Sequence, residues 1–134
     1  MNIILKNVQS IKDAEYNLPD TGLVQIVGPN SAGKSILFRA LSAVVTLGMM
    51  DNEKRNAIIN DEADECIIFI KYKERALYVK LHRERNKCIV LLERGDGTQV
   101  KRFFRDGGIP ELISEFGFAT YSHNSICLQL FETF

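Results

Sequence analysis

Residues 23–35 read LVQIVGPNSAGKS, and this stretch decides the fold class. Its first five residues are mostly apolar and end at a glycine, the pattern of a strand buried on both faces that feeds a loop. Gly28, Pro29, Asn30, Ser31, Ala32, Gly33, Lys34 and Ser35 then match G-x-x-x-x-G-K-[ST]. From Lys34 onward Ile36, Ala40, Ala43, Val44 and Leu47 recur at helical spacing, and Gly48 marks a stop. Strand, glycine loop and helix in that order are what this motif needs. The glycines let the backbone curl so that successive N–H groups form an anion nest, and the helix N-terminus adds partial positive charge. Lys34 is then placed to bridge the β- and γ-phosphates, and the Ser35 hydroxyl to hold Mg²⁺. The motif predicts binding of a nucleoside triphosphate, ATP foremost.

Upstream, residues 2–8 (NIILKNV) and 14–18 (AEYNL) predict two strands joined through residues 10–13, and residues 19–22 (PDTG) supply a turn. Residues 49–63 are mixed and polar, a connection with a short helical turn around residues 54–59. Four apolar or alternating runs follow: CIIFIKY (66–72), ALYVKL (76–81), CIVLL (88–92) and TQVKRFF (98–104). The Asp96-Gly97 pair between the last two is a hairpin signal, because both residues tolerate positive φ. Gly107, Gly108 and Pro110 open a short helix over residues 110–116, and residues 125–130 predict a closing strand. The expected class is α/β, a P-loop NTPase with a mixed sheet around the P-loop helix and an antiparallel β-lobe. Residues 1–134 read as a single domain: a P-loop core over 1–48, the β-lobe over 64–105, and the helix with its closing strand over 106–134.

The chain has 134 residues, 46% of them hydrophobic, enough for one domain that buries roughly two thirds of its unfolded surface. It shows no charged leader and no apolar run near the ~18 residues of a bilayer span, which predicts a cytoplasmic protein with no membrane partner. Cys66, Cys88 and Cys127 lack C-x-x-C pairing, and the first two sit in apolar runs, so they read as buried free thiols; His82 and His123 stand isolated. Net charge is zero but uneven. Lys/Arg against Asp/Glu count 6 to 9 over residues 1–70, 11 to 4 over 71–105, and none to 4 over 106–134. The basic segment makes Lys71, Lys73, Lys80, Arg83, Arg85, Lys101 and Arg102 candidates for contact with a DNA phosphate backbone. The same alternation of charged and apolar residues belongs to any half-exposed sheet.

Taken together, these segments resemble the ABC-type ATPase heads of SMC-related DNA repair and recombination proteins, including the SbcC type and its phage relatives. NIILKNVQSIKDAEYNL is similar to that family's first two strands, with Gln9 and Ser10 at the positions of its N-F-(R/Q)-S segment, where many members carry arginine for Gln9. LVQIVGPNSAGKSILFRAL is similar to its third strand, Walker A and first helix, and the four later runs to its antiparallel subdomain. NSICLQLFETF resembles the strand entering the Q-loop, which makes Gln129 the match for a glutamine that senses Mg²⁺ and γ-phosphate. The resemblance implies that Gln9 and Ser10 adjoin the nucleotide, that Gln129 serves catalysis and metal binding, and that DNA lies across paired heads.

Neither an L-S-G-G signature nor an h-h-h-h-D-E Walker B occurs in the sequence. Residues 89–93 (IVLLE) are the nearest decoy, but they lack the aspartate and run into a hairpin turn, so an ordinary strand is expected. In the resembled family both missing motifs lie in a C-terminal half, and hydrolysis needs two heads sandwiching ATP. Residues 1–134 are thus expected to be an N-terminal lobe that depends on a C-terminal half or a second head and is inactive alone. A different reading is a non-hydrolysing nucleotide-binding module that regulates or inhibits a partner. A small P-loop kinase fits less well, for want of a lid arginine cluster.

Overall fold

Runs with an apolar residue at every second position, clearest over residues 66–72, 75–82 and 89–93, favour strands that bury one face, since alternate side chains point to opposite sides of a sheet. The computed structural model describes residues 1–18 and 31–117, with the backbone alone for residues 31–35 and 49. It contains β1 (Asn2–Val8), β2 (Ile11–Asn17), α1 (Ser31–Val45), α2 (Asn52–Ile58), β3 (Glu65–Tyr72), β4 (Arg75–His82), β5 (Ile89–Glu93), β6 (Gln99–Phe103) and α3 (Ile109–Phe116). The strands form one sheet in the order β2-β1-β3-β4-β5-β6, each pair antiparallel.

Register follows the apolar alternation. Ile3, Ile70, Leu77 and Leu92 stand side by side across β1, β3, β4 and β5, and all four are fully buried. Leu5, Ile68, Val79 and Val90 form the neighbouring buried row. A slip of one residue would turn each row to the other face, which fixes the pairing. Against this inner face α1 contributes Leu37, Ala40, Leu41 and Val44, and α3 contributes Ile109, Leu112, Ile113 and Phe116, a stripe at helical spacing.

The first hairpin is tighter than the sequence predicts. Gln9 takes a left-handed φ of 50°, so the chain reverses over Gln9 and Ser10, and Val8 pairs directly with Ile11. Residues 11–13 are therefore strand. Helix α1 begins at Ser31 rather than Lys34 and ends at Val45, where Thr46 Oγ1 donates to the Ser42 carbonyl at 2.8 Å and Leu47–Met49 tightens into a 3₁₀ turn. The expected short turn near residues 54–59 is a capped helix: the Asp51 carboxylate accepts from the Lys54 N–H at 2.8 Å.

The β-lobe forms as expected, and Ile89–Glu93 is its strand β5, paired on both sides. The turn before β6 is closed by the Asp96 carboxylate, which accepts from the Thr98 N–H and hydroxyl, with Gly97 at φ 89°. β1 and β2 join this same sheet through β1–β3 pairing, so the described sheet runs without a break from residues 2–17 into residues 65–103. All strand pairing among the described residues is antiparallel; the expectation of a mixed sheet falls on residues 23–27 and 125–130, which lie outside them.

Candidate functional site at the P-loop helix and the Gln9 turn

Of the motif, Gly28, Pro29 and Asn30 lie outside the described residues, while Ser31, Ala32, Gly33, Lys34 and Ser35 form the opening of α1. That helix is held in place by burial. Ile36, Leu37, Ala40, Leu41 and Val44 recur over two turns, and each is no more than 4% exposed. Only two residues of α1 carry charge, Lys34 and Arg39, and Arg39 stands one turn beyond Ser35.

Arg39 is the residue that motif reading missed. It is exposed, and its Nη1 donates to Gln9 Oε1 at 2.9 Å. The Gln9 N–H donates to the Ile58 carbonyl at 2.7 Å, its carbonyl accepts from Asn60 Nδ2 at 2.6 Å, and its Nε2 donates to the Ala57 carbonyl at 3.4 Å. A residue held at positive φ, with both its backbone and its side chain bonded, is fixed in direction. The sequence signal for Arg39 was a single cation beyond Lys34 in a helix that carries no other charge.

Two clefts open on either side of this Arg39–Gln9 bridge. One, of about 490 Å³, is lined by polar groups including Gln9, Ser10, Lys12, Arg39 and Asn60. The other, of about 380 Å³, lies between α1 and α2 and is lined by Ser42, Ala43, Thr46, Met50 and Ala57. Gln9 and Ser10 thus share a cleft with a cation carried by the P-loop helix. Asp61 and Glu62 line the same cleft, with Lys12 Nζ 3.6 Å from Glu62 Oε2, so the lining is polar and charge-balanced, and Arg39 and Ser10 are its donors nearest the P-loop helix in sequence.

A pair of arginines ties the cleft's far wall to the sheet. Arg55 of α2 is 1% exposed; its Nε donates to the His82 carbonyl at 2.7 Å, and its Nη2 to the Arg83 carbonyl at 3.0 Å and Asn52 Oδ1 at 2.9 Å. Arg83 reaches back, donating to the Ala63 carbonyl at 2.9 Å and the Asn60 carbonyl at 3.0 Å. Asn60 also holds Gln9, so the chain from Arg83 to Gln9 is continuous.

The basic residues separate by location. Lys71, Lys80 and Lys101 fall on the outer sheet face, in rows opposite to the buried ones. Lys73 lies in the β3–β4 turn at φ 55°, with Nζ 5.2 Å from the Tyr72 ring centroid. Arg85 lies in the 3₁₀ turn Arg85–Lys87, and Arg102 is in register with buried Val90 on the other face. Arg83 serves the clasp just described. Gln129 lies outside the described residues.

Cys66 and Cys88 are buried free thiols; burial pushes the Cys66 pKa up to about 12 and raises that of Cys88. Cys127 lies outside the described residues, as does His123. Among the described residues no group of three or more His, Cys, Asp or Glu side chains is placed to hold a metal ion, and no helix is long and apolar enough to cross a membrane.

No curated protein matches the chain. The profile of the AAA domain family matches residues 2–122, a span that takes in the P-loop, the Gln9 turn and the whole β-lobe, with Gln129 beyond it. The match supports nucleotide binding of the ATPase kind. By this match over most of its length, the chain belongs to the AAA domain family.

Proposed function

We propose that this chain is the ATP-binding half of an SMC-like ATPase that acts in DNA repair, recombination or replication. The observation that carries the reading is the Walker A sequence opening a helix whose only other charged residue, Arg39, is bonded to Gln9. Many heads of the resembled family carry arginine at the position of Gln9; here Arg39 brings a guanidinium to the same turn. Lys34 and the loop N–H groups would hold the phosphates, Ser35 and Gln129 the Mg²⁺, and the cleft beside Gln9 and Ser10 the rest of the nucleotide. Bound Mg²⁺ supplies neutralisation of the phosphate charge.

Phosphoryl transfer depends on positioning and charge stabilisation, and the sequence lacks the L-S-G-G and Walker B groups that complete such a site. Turnover therefore requires a C-terminal half or a second head, with DNA backbone contact made by the basic lobe. Titration calorimetry tests the site: Mg²⁺-ATP binds the wild-type chain, and Lys34→Ala abolishes the heat while circular dichroism is unchanged. Equal affinity in the two proteins would refute the assignment. ATP turnover by the wild-type chain alone would refute the dependence on a second half.

A further inference from the structure

The sheet carries a second pattern on the face turned away from the helices. Across its middle stand Ile4, Phe69, Tyr78, Leu91 and Lys101, in register from β1 to β6. Every one is half-buried or exposed, whereas the inner rows are buried. Phe69 and Tyr78 are direct cross-strand partners, which sets their Cα atoms about 5 Å apart. Along their own strands, on the same face, Phe69 is followed by Lys71 and Tyr78 by Lys80. Toward β6 the adjacent row ends at Phe103, whose ring lies 5.2 Å from Lys101 Nζ and 4.9 Å from the Arg105 guanidinium carbon.

We propose that this outer face is a platform for single-stranded nucleic acid, with bases stacking on Phe69, Tyr78 and Phe103 and phosphates held by Lys71, Lys80 and Lys101. It rests on the reading of the basic lobe as a nucleic-acid contact and narrows it. Half-buried rings set among cations on one sheet face suit a ligand that offers both π faces and repeated negative charge. A duplex offers only the charge, because its base faces are stacked on one another. The carboxylates of this face give direction. Asp13 and Glu15 lie on β2 and Glu65 at the start of β3, so the strand runs from the Phe69–Tyr78 pair toward β6; Glu93 flanks that path between Ala76 and Gln99. The basic balance of residues 71–105, 11 Lys/Arg to 4 Asp/Glu, provides the complementary charge.

Fluorescence anisotropy of the full chain with a labelled oligothymidylate, and with a duplex of the same length, tests the platform. The single strand is expected to bind more tightly, with affinity falling as salt rises. Phe69→Leu combined with Tyr78→Leu keeps the apolar surface but removes stacking, and should weaken single-strand binding by about tenfold or more with unchanged circular dichroism. Tyr78→Phe should bind as the wild type does. Duplex binding as tight as single-strand binding, unaffected by the leucine variants, would overturn the platform and leave backbone contact standing. No binding of either ligand would remove both. Leucine variants that alter self-association but not oligonucleotide binding would assign the face to a protein contact instead.

Discussion

Arg39 Nη1 donates to Gln9 Oε1 at 2.9 Å, joining the P-loop helix to the turn between β1 and β2. The bond spans 30 residues of sequence and links the two segments that nucleotide recognition would use. Its partners also draw in the connection after α2, through the Ile58 carbonyl and Asn60.

Because the bond is exposed to solvent, it should matter modestly for stability. A double-mutant cycle of Gln9→Ala and Arg39→Ala in urea unfolding should give a coupling of about 0.5–1 kcal/mol. Arg39→Ala should also weaken Mg²⁺-ATP binding several-fold in calorimetry. A cycle with no coupling would show that the two side chains act independently.

Arg55 behaves differently because it is buried. Two of its three hydrogen bonds satisfy the His82 and Arg83 carbonyls at the end of β4 and the third goes to Asn52 Oδ1, while its Nη1 has no partner among the described residues. Arg55→Met fills much of the volume but strands the His82 and Arg83 carbonyls, at a cost of about 3 kcal/mol in urea unfolding. Arg55→Lys should not rescue it, since an ammonium lacks the planar fork. A loss below about 1 kcal/mol would mean that the clasp is dispensable.

Gly48 tests a close contact between segments far apart in sequence. A Cβ there would meet Pro110 Cγ at 2.8 Å, and a proline ring cannot swing aside. Gly48→Ala should destabilise the fold by about 1–3 kcal/mol, read as a lower thermal midpoint. Pro110→Ala in the same chain should recover part of that loss, whereas simple additivity would refute the contact.

The buried thiols set an alkaline limit. Cys66 ionises at about 12 in the fold against an ordinary value of 9.0, because burial penalises the thiolate. A folded value above the unfolded one means that its contribution is complete below 9.0 and is lost as pH rises toward about 12. Unfolding by urea should become easier across that window, and Cys66→Ala should flatten the dependence. Alkylation with mass mapping at mildly alkaline pH should leave Cys66 and Cys88 unlabelled until denaturant is added.

The β-lobe could be read almost directly. Alternation in residues 66–72, 76–81 and 88–92 placed each strand to within a residue or two, and the Asp-Gly signal located the last hairpin. Short-period patterns and turn residues act locally, so a single sequence carries them. The first hairpin was misjudged by the same logic: nothing in Gln9 and Ser10 announces a two-residue reversal, and the left-handed turn is held by Ile58 and Asn60, about fifty positions away. The cleft beside it was equally hidden, since it needs Arg39, Gln9 and Asn60 brought together from three segments.

By itself, then, the sequence determined the phosphate motif, the helix that follows it and the one-sided strands, because glycine spacing and apolar period are properties of neighbouring residues. Tertiary structure alone decided that β1 and β2 extend the lobe's sheet, that Arg39 meets Gln9, that Arg55 ties α2 to the end of β4 while Arg83 ties down the segment after α2, and that Phe69, Tyr78 and three lysines share a face. Those relationships depend on strand order and register, which are set by how whole faces bury against one another rather than by any local run of residues.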